Sequence, residues 1–265
     1  MKRNLLRLAG KRGAWGFPYL IFMLIFVLLP LILVGVYAFT DHAGHFTLAN
    51  FGQFFNQSKD INTFLYSLGI AIITTLICIL IGYPIAYILS NANLCKSEVM
   101  VMLFILPMWV NVLVRTLATV ALFGFVGIPL GEGALIFGMV YNFLPFMILP
   151  IYNVLKKMDK SYIEAAQDMG ASPAKVFTKV IFPLSMPGVI SGVMMVFMPT
   201  ISTFAISELL TMNKIKLFGT TIQENINNGL WNYGSVLALL MLVIILITTW
   251  VTDSNDTSES AGGLI

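Results

Sequence analysis

Long apolar runs separated by short polar stretches set the pattern of this chain. Gly13–Thr40, Ile61–Cys95, Ala134–Leu155, Val180–Ser207 and Asn225–Thr252 contain no Asp, Glu, Lys or Arg. A sixth run, between Glu98 and Glu132, is interrupted only by Arg115. A bilayer core is crossed by about 20 helical residues, and each run is long enough. Backbone groups in lipid must be satisfied internally, and the alternation of barrel strands is absent, so the runs read as helices. The expectation is an all-α, polytopic membrane protein with six transmembrane helices, one domain over residues 1–265. Prolines recur in the spans, at Pro30, Pro84, Pro107, Pro145, Pro150 and Pro199, and each permits a kink.

Composition strengthens this picture. The chain is 58% hydrophobic and 10% charged, with a mean hydropathy of +0.89, more apolar than a soluble domain of this length needs. The first run follows Lys2, Arg3, Arg7, Lys11 and Arg12, but it exceeds a signal-peptide core of about 7–15 residues and no clear small-x-small site follows, so it reads as an anchor. Those five residues, Lys96, and Lys156, Lys157, Lys160, Lys175 and Lys179 fall in alternate loops; the opposite loops hold Lys59, Lys214 and Lys216. Eleven against three predicts cytoplasmic termini and a multi-pass protein of the inner cell membrane. The net charge of +3 is therefore topology and predicts no nucleic-acid partner. The tail at 252–265 has no Lys or Arg and is rich in Ser, Gly and Asp, a composition that predicts disorder. Cys78 in a span and Cys95 beside a loop predict no structural disulfide.

Catalytic chemistry is missing. No G-x-x-x-x-G-K-[ST] occurs, and the one Gly-Lys pair, Gly10–Lys11, has no glycine-rich lead. There is no H-E-x-x-H and no paired C-x-x-C, and no matched set for an intramembrane protease. Asp41, His42 and His45 form the one metal candidate, set against the plainer reading of a polar loop.

The polar stretch at about 156–183 is the exception to the oil. Ser161-Tyr-Ile-Glu164 has the form of a capping box, in which Ser161 and Glu164 bond each other's backbone. A short helix is expected from there through Ala165 and Ala166 to Met169, ended by Gly170 in the left-handed conformation. Ser172-Pro173 should start a second helix, and Pro183 should end it. Ala165 and Ala166 allow close approach of another protein, with Tyr162, Ile163 and Met169 as apolar anchors. The residues alone allow equally an amphipathic helix resting on headgroups, with the lysines reaching for phosphates.

"EAAQDMGASPAKVFTKVIFPL" resembles the EAA loop of ABC importer permeases: Glu-Ala-Ala, a glycine four residues on, and a closing apolar-x-apolar-Pro, with Val180 and Phe182 where Ile and Leu are commoner. Over roughly Phe64–Leu240, "GYPIAYILS", "LPMWVNVLVRT", "YNFLPFMILPIYNVLKKMD" and "FAISELL" are similar to the polyamine (spermidine/putrescine) permeases of that family, in particular the first of their two membrane subunits. The resemblance implies a type I ABC importer permease fold. It also implies four kinds of partner: a second homologous permease, two copies of a cytoplasmic ATPase, an extracytoplasmic polyamine-binding protein and the lipid bilayer. Ser161, Glu164, Ala165, Ala166, Met169 and Gly170 would then couple this subunit to the ATPase. The chain itself would carry no cofactor, with ATP and magnesium on the ATPase, and would be no enzyme.

The spans hold a second set of candidates. Ionisable groups inside a membrane cost roughly 2.5–3.5 kcal/mol at a helix centre and usually mark function. On straight helices Arg115 and Glu208 reach similar depths. Glu208 either binds a substrate ammonium or neutralises Arg115, or both side chains snorkel separately to the headgroups. Trp109 and Tyr141 offer ring faces to a cation, with Asn111 and Asn142 as polar neighbours, against the commoner role of lipid-facing or packing aromatics. Trp231 reads as an interface anchor. Gly188-x-x-x-Gly192 allows close helix packing, within this chain or against a second permease.

Overall fold

The computed structural model describes residues 17–41, 43–91 and 97–262. Among them the backbone is helical apart from connections and one isolated antiparallel bridge, Thr40 with Phe46, in keeping with an all-α chain. Five helices are long and apolar enough to cross a membrane: Phe17–Ala38, Ser58–Ser90, Glu132–Lys157, Pro173–Ser202 and Trp231–Trp250. The sixth expected span is two helices, Val99–Trp109 and Val112–Val126, bent by 95° at their junction. Contacts group the chain into two compact units, Met1–Ser58 with Ile222–Val243 and Lys59–Thr221 with Ile244–Ile265.

In the first unit α1 (Phe17–Ala38) buries none of its apolar window, and only Ala38 at its end is buried. Its end is tied down by Asn232, whose Nδ2 donates to the carbonyls of Tyr37 (3.1 Å) and Thr40 (2.7 Å), and by Asn50, which donates to Thr40 at 2.9 Å from the short α2 (Ala49–Asn56). The Asp41 carboxylate is used by its own turn: Oδ1 accepts from the amides of Ala43 (2.9 Å) and His45 (2.8 Å). The His45 amide, first among the causes, holds Asp41 below its ordinary 3.8. His42, the third member of the metal candidate, lies outside the described residues, as do Cys95 and the basic residues before the first span. No group of three or more His, Cys, Asp or Glu able to hold a metal is present among the described residues.

The second unit is built on α6 (Glu132–Lys157), the most enclosed of the five long apolar helices, with 56% of its apolar window buried. Around it pack α4 (Ser97–Trp109), α5 (Val112–Val126), α8 (Pro173–Ser202) and α9 (Ala205–Thr211). Between apolar helices in lipid there is no hydrophobic drive, so closeness of fit supplies the attraction. Met147, fully buried on α6, is wedged between two glycines. A Cβ at Gly82 of α3 (Ser58–Ser90) would lie 3.0 Å from its Cγ, and one at Gly192 of α8 would lie 2.7 Å from its Sδ. A Cβ at Gly188 would meet the Ile151 Cα and the Pro150 carbonyl, both at 3.0 Å. The Gly-x-x-x-Gly pair thus packs α8 on α6 of the same chain.

Prolines shape these helices without ending them. The expectation that Pro183 stops the loop's second helix is overturned: α8 runs from Pro173 to Ser202. One wide turn, Phe177–Ile181, precedes the proline, and the Phe182 amide bonds back five residues to the Phe177 carbonyl. The same device precedes Pro30, where Leu24–Leu28 is wide and the Leu29 amide reaches the Leu24 carbonyl. Such π turns shift the hydrogen-bond register and let the proline ring and its missing N–H be accommodated inside a continuing helix. The break between α4 and α5 comes beyond Pro107, where Asn111 starts a new helix by accepting the Leu113 amide at 2.8 Å. Remaining helices are α10 (Phe218–Asn227) and α11 (Trp231–Gly262); the backbone of α11 stays helical to Gly262, where composition alone predicts disorder from residue 252.

Candidate functional site

The polar stretch folds as a helix, a glycine turn and a second helix. α7 spans Ser161–Asp168, but its start differs from the expected capping box. Lys160 is the cap position, and Asp159 Oδ1 accepts the Ser161 amide at 2.9 Å. Ser161 is thus a first-turn residue rather than the cap, and Glu164 closes the turn through its own amide to the Lys160 carbonyl at 3.0 Å. An Asp placed two residues ahead of an amide folds back readily, and that signal was available at Asp159. The Ser161 amide, the largest cause, holds the Asp159 carboxyl below its ordinary 3.8.

The end of α7 is a Schellman motif. Gly170 has φ +76, its amide bonds the Gln167 carbonyl at 2.8 Å, and the Ala171 amide bonds the Ala166 carbonyl at 3.1 Å. Nothing lies within 4 Å of where a Gly170 Cβ would stand, so glycine is needed here for handedness alone.

α7 divides into two faces. Tyr162, Ala165 and Met169, at spacings of three and four, are exposed, Tyr162 at 57% and Met169 at 82%. Ile163 and Ala166 turn inward onto the core of the unit, Ala166 being 6% exposed. The expectation that both alanines serve a partner's approach is therefore corrected: Ala165 is outward and Ala166 packs at home. Glu164 is exposed.

Sequence reasoning missed the linkage of this loop to the spans. Phe177, in the π turn, meets the ring of Tyr83 edge-on at 5.9 Å and that of Tyr87 at 5.6 Å, both on α3. Phe182 lies 5.7 Å from Tyr83, and the Tyr83 hydroxyl bonds Ser185 Oγ at 2.8 Å. Aromatic pairs at 4.5–7 Å contribute about 0.5–1.5 kcal/mol each beyond burial. The loop is hence anchored through its second helix, and the aromatic content of "KVFTKVIF" was the available signal.

The intramembrane candidates divide differently from expectation. Depths counted on straight helices do not hold, because α5 begins at a 95° bend and α8 stops at Ser202 before α9 begins. Arg115 on α5 is buried at 8% exposure, and its Nε and Nη1 have no hydrogen-bond partner among the described residues. Its guanidinium lies 6.0 Å from the centroid of Tyr141, which stacks on Phe137 at 6.5 Å. Glu208 is half-buried on α9, a helix packed against both α5 and α6. No ion pair joins Glu208 to Arg115 among the described residues, and Arg115 does not snorkel free. Trp109 is 85% exposed at the end of α4. Asn111 is spent as a helix cap. Asn142 is fully buried, donating to the Gly138 carbonyl at 2.8 Å while its Oδ1 has no partner among the described residues. The structure brings Arg115 and Tyr141 together and leaves Trp109 apart at an exposed helix end.

Long apolar helices, one of them broken, with a capped polar loop joining two of them, are those of a multi-pass membrane protein. The chain belongs to the family of binding-protein-dependent transport system inner membrane components, whose model matches residues 79–258. The spermidine/putrescine transport system permease protein PotB of Haemophilus influenzae is 34% identical over 259 residues, 89% of this chain and 89% of that protein. PotB of Escherichia coli K12 is 32% identical over 255 residues, 86% of this chain and 92% of that protein. A chain of a bacterial alginate ABC transporter, solved in complex with a periplasmic protein bound to an alginate pentasaccharide, superposes with a TM-score of 0.72 at 14% identity, covering 95% of this chain and 93% of its own. The fold is that of an ABC importer permease.

Proposed function

We propose that this chain is one of two membrane subunits of an ATP-driven importer that carries polyamines, spermidine or putrescine, into the cytoplasm by alternating access. The observation that carries this reading is the similarity to PotB over nearly the whole chain, joined to a rigidly capped α7 that presents Tyr162, Ala165 and Met169 outward. That stripe, with Ser161, Glu164 and the Gly170 turn, forms a ridge suited to the cleft of a separate ATPase. Ala166 supports it from behind. ATP and magnesium belong to the ATPase, of which two copies serve the pair of permeases. An extracytoplasmic binding protein delivers the polyamine. The α7 loop and both termini lie in the cytoplasm.

Along the path, the Glu208 carboxylate attracts an ammonium, Trp109 offers a ring at the exposed end of α4, and Tyr141 holds the Arg115 guanidinium beside it. Arg115 and Asn142 shape the interior, and Asn111 sets the break between α4 and α5. ATP closure moves α7, the Phe177–Tyr83 contact passes that motion to α3, and the two permease halves rock to open on alternate sides.

The test is uptake of labelled spermidine and putrescine by vesicles holding the complete complex, with and without ATP. ATP-dependent uptake of either is expected. ATP-dependent uptake of a different solute alone would reassign the cargo within the class, and ATP-independent flux would make the protein a channel. A thiol at Ser172 should react with an impermeant reagent from the cytoplasmic side only, and one at Ser58 from outside only.

A further inference from the structure

Arg115 carries a buried charge that its own chain does not answer. It is 8% exposed on α5, and its Nε and Nη1 are buried with no hydrogen-bond partner among the described residues. No Asp or Glu forms an ion pair with it among them. A lysine in such a place can shed its proton, but a guanidinium stays charged and can only donate. The Tyr141 ring, 6.0 Å away, lies at the outer limit of a cation–π contact, and its face offers no lone pair to two N–H groups. Buried charges are normally paired, and unmet donors normally find an acceptor.

The backbone adds to the imbalance. Arg115 is the fourth residue of α5, and its amide closes the first turn by bonding the Asn111 carbonyl at 3.1 Å. At that end of a helix the dipole is positive, which opposes a cation and favours an anion. Side chain and helix end therefore call for the same ligand charge independently. Tyr141, over whose ring the guanidinium lies, is 42% exposed, so the surface is one side chain away. Donors so covered are out of reach of a bulky anion. We infer that Arg115 and the first turn of α5 bind a compact monovalent inorganic anion of the halide class, which accepts from Nε and Nη1. On the importer reading proposed above, this anion cancels a fixed cation that would otherwise repel the polyamine. The site itself rests on α5 and α6 alone, and its test is read without transport.

The melting temperature of the purified full chain in detergent tests it, in sodium chloride, bromide, acetate or gluconate at equal ionic strength. Chloride at about tenfold its Kd should raise the melting temperature by about 3–6 °C over gluconate, and the rise should saturate. Arg115→Met, with an apolar side chain in place of the charge, should fold and melt alike in both salts, because replacing a buried charge by an apolar group is often neutral or stabilising. Arg115→Lys should keep part of the rise. Lys214→Gln, which removes an exposed loop cation, should keep all of it. No difference between chloride and gluconate in the parent, or an equal rise in Arg115→Met, overturns the site. A larger rise with acetate than with chloride would keep the anion site and overturn its halide occupant. Independently of any variant, anomalous scattering should place bromide against Nε and Nη1, and bromide bound only elsewhere overturns the site.

Discussion

Glycine is used for opposite reasons in the coupling loop and in the α6–α8 interface. Gly170 sits in open space with φ +76, so what it supplies is a backbone handedness that other residues adopt only at a cost of roughly 1–2 kcal/mol. Gly188 and Gly192 lie in an ordinary helix but have backbone or a buried methionine within 3.0 Å of any added Cβ. There the absence of a side chain is what matters. The loop is therefore governed by local conformation, and the interface by volume.

The largest effect expected is at the interface. Gly188→Leu or Gly192→Leu should overpack α6 by about 1–3 kcal/mol or more, seen as a lower melting temperature and lost folded yield in detergent. A normal melting temperature in both would mean that α8 does not depend on this contact. The second effect lies in the loop. Gly170→Val should cost about 1–2 kcal/mol and weaken ATPase association in the assembled complex, whereas Gly170→Asn should be milder, because asparagine tolerates the left-handed region. If Asn proves as damaging as Val, space rather than handedness governs the turn.

A third, smaller effect concerns the interior around Arg115. With no ion pair to Glu208, Glu208→Gln and Arg115→Gln should show a coupling below about 0.5 kcal/mol in folded stability, and the double variant should not be rescued. On the proposed path Glu208→Gln should lower polyamine uptake with folded yield unchanged. Rescue of folding by the double variant would restore the pairing model, and normal uptake by Glu208→Gln would remove its substrate role. The smallest effect is the Asp159 cap. Its folded pKa is depressed, so its stabilisation is present above the ordinary 3.8 and lost as pH falls through the folded value. The protection factor at the start of α7, hydrogen exchange corrected for its intrinsic pH dependence, should fall on acidification below 3.8 in the parent and be insensitive to that change in Asp159→Asn.

How much of this was legible along the chain follows the same division. Gly170 and the Ser172-Pro173 restart rest on preferences of one residue or one turn and appear where expected, as do five of the six apolar runs, whose charge-free length is read directly. The start of α7 moved because two side chains, Asp159 and Ser161, were both able to cap it, and choosing between them depends on how the Lys157–Lys160 connection leaves α6. Pro183 was expected to stop a helix, yet a π turn absorbs it, with Phe177 and Phe182 packed on Tyr83 to hold the altered register. Ala166 was placed on the outward face because two adjacent alanines look alike in sequence, while a helix sends them about 100° apart.

By itself the sequence determined an all-α membrane chain, the location of its polar loop and the chirality of that loop's turn, because charge-free length, capping chemistry and glycine's conformational freedom act over a few neighbours. Only the tertiary structure decided the partner of Gly188 and Gly192, the bend at Asn111, the lack of an ion pair between Arg115 and Glu208 among the described residues and the inward turn of Ala166. Each of these depends on which distant helix fills the adjacent volume, and close packing is a property of several segments at once.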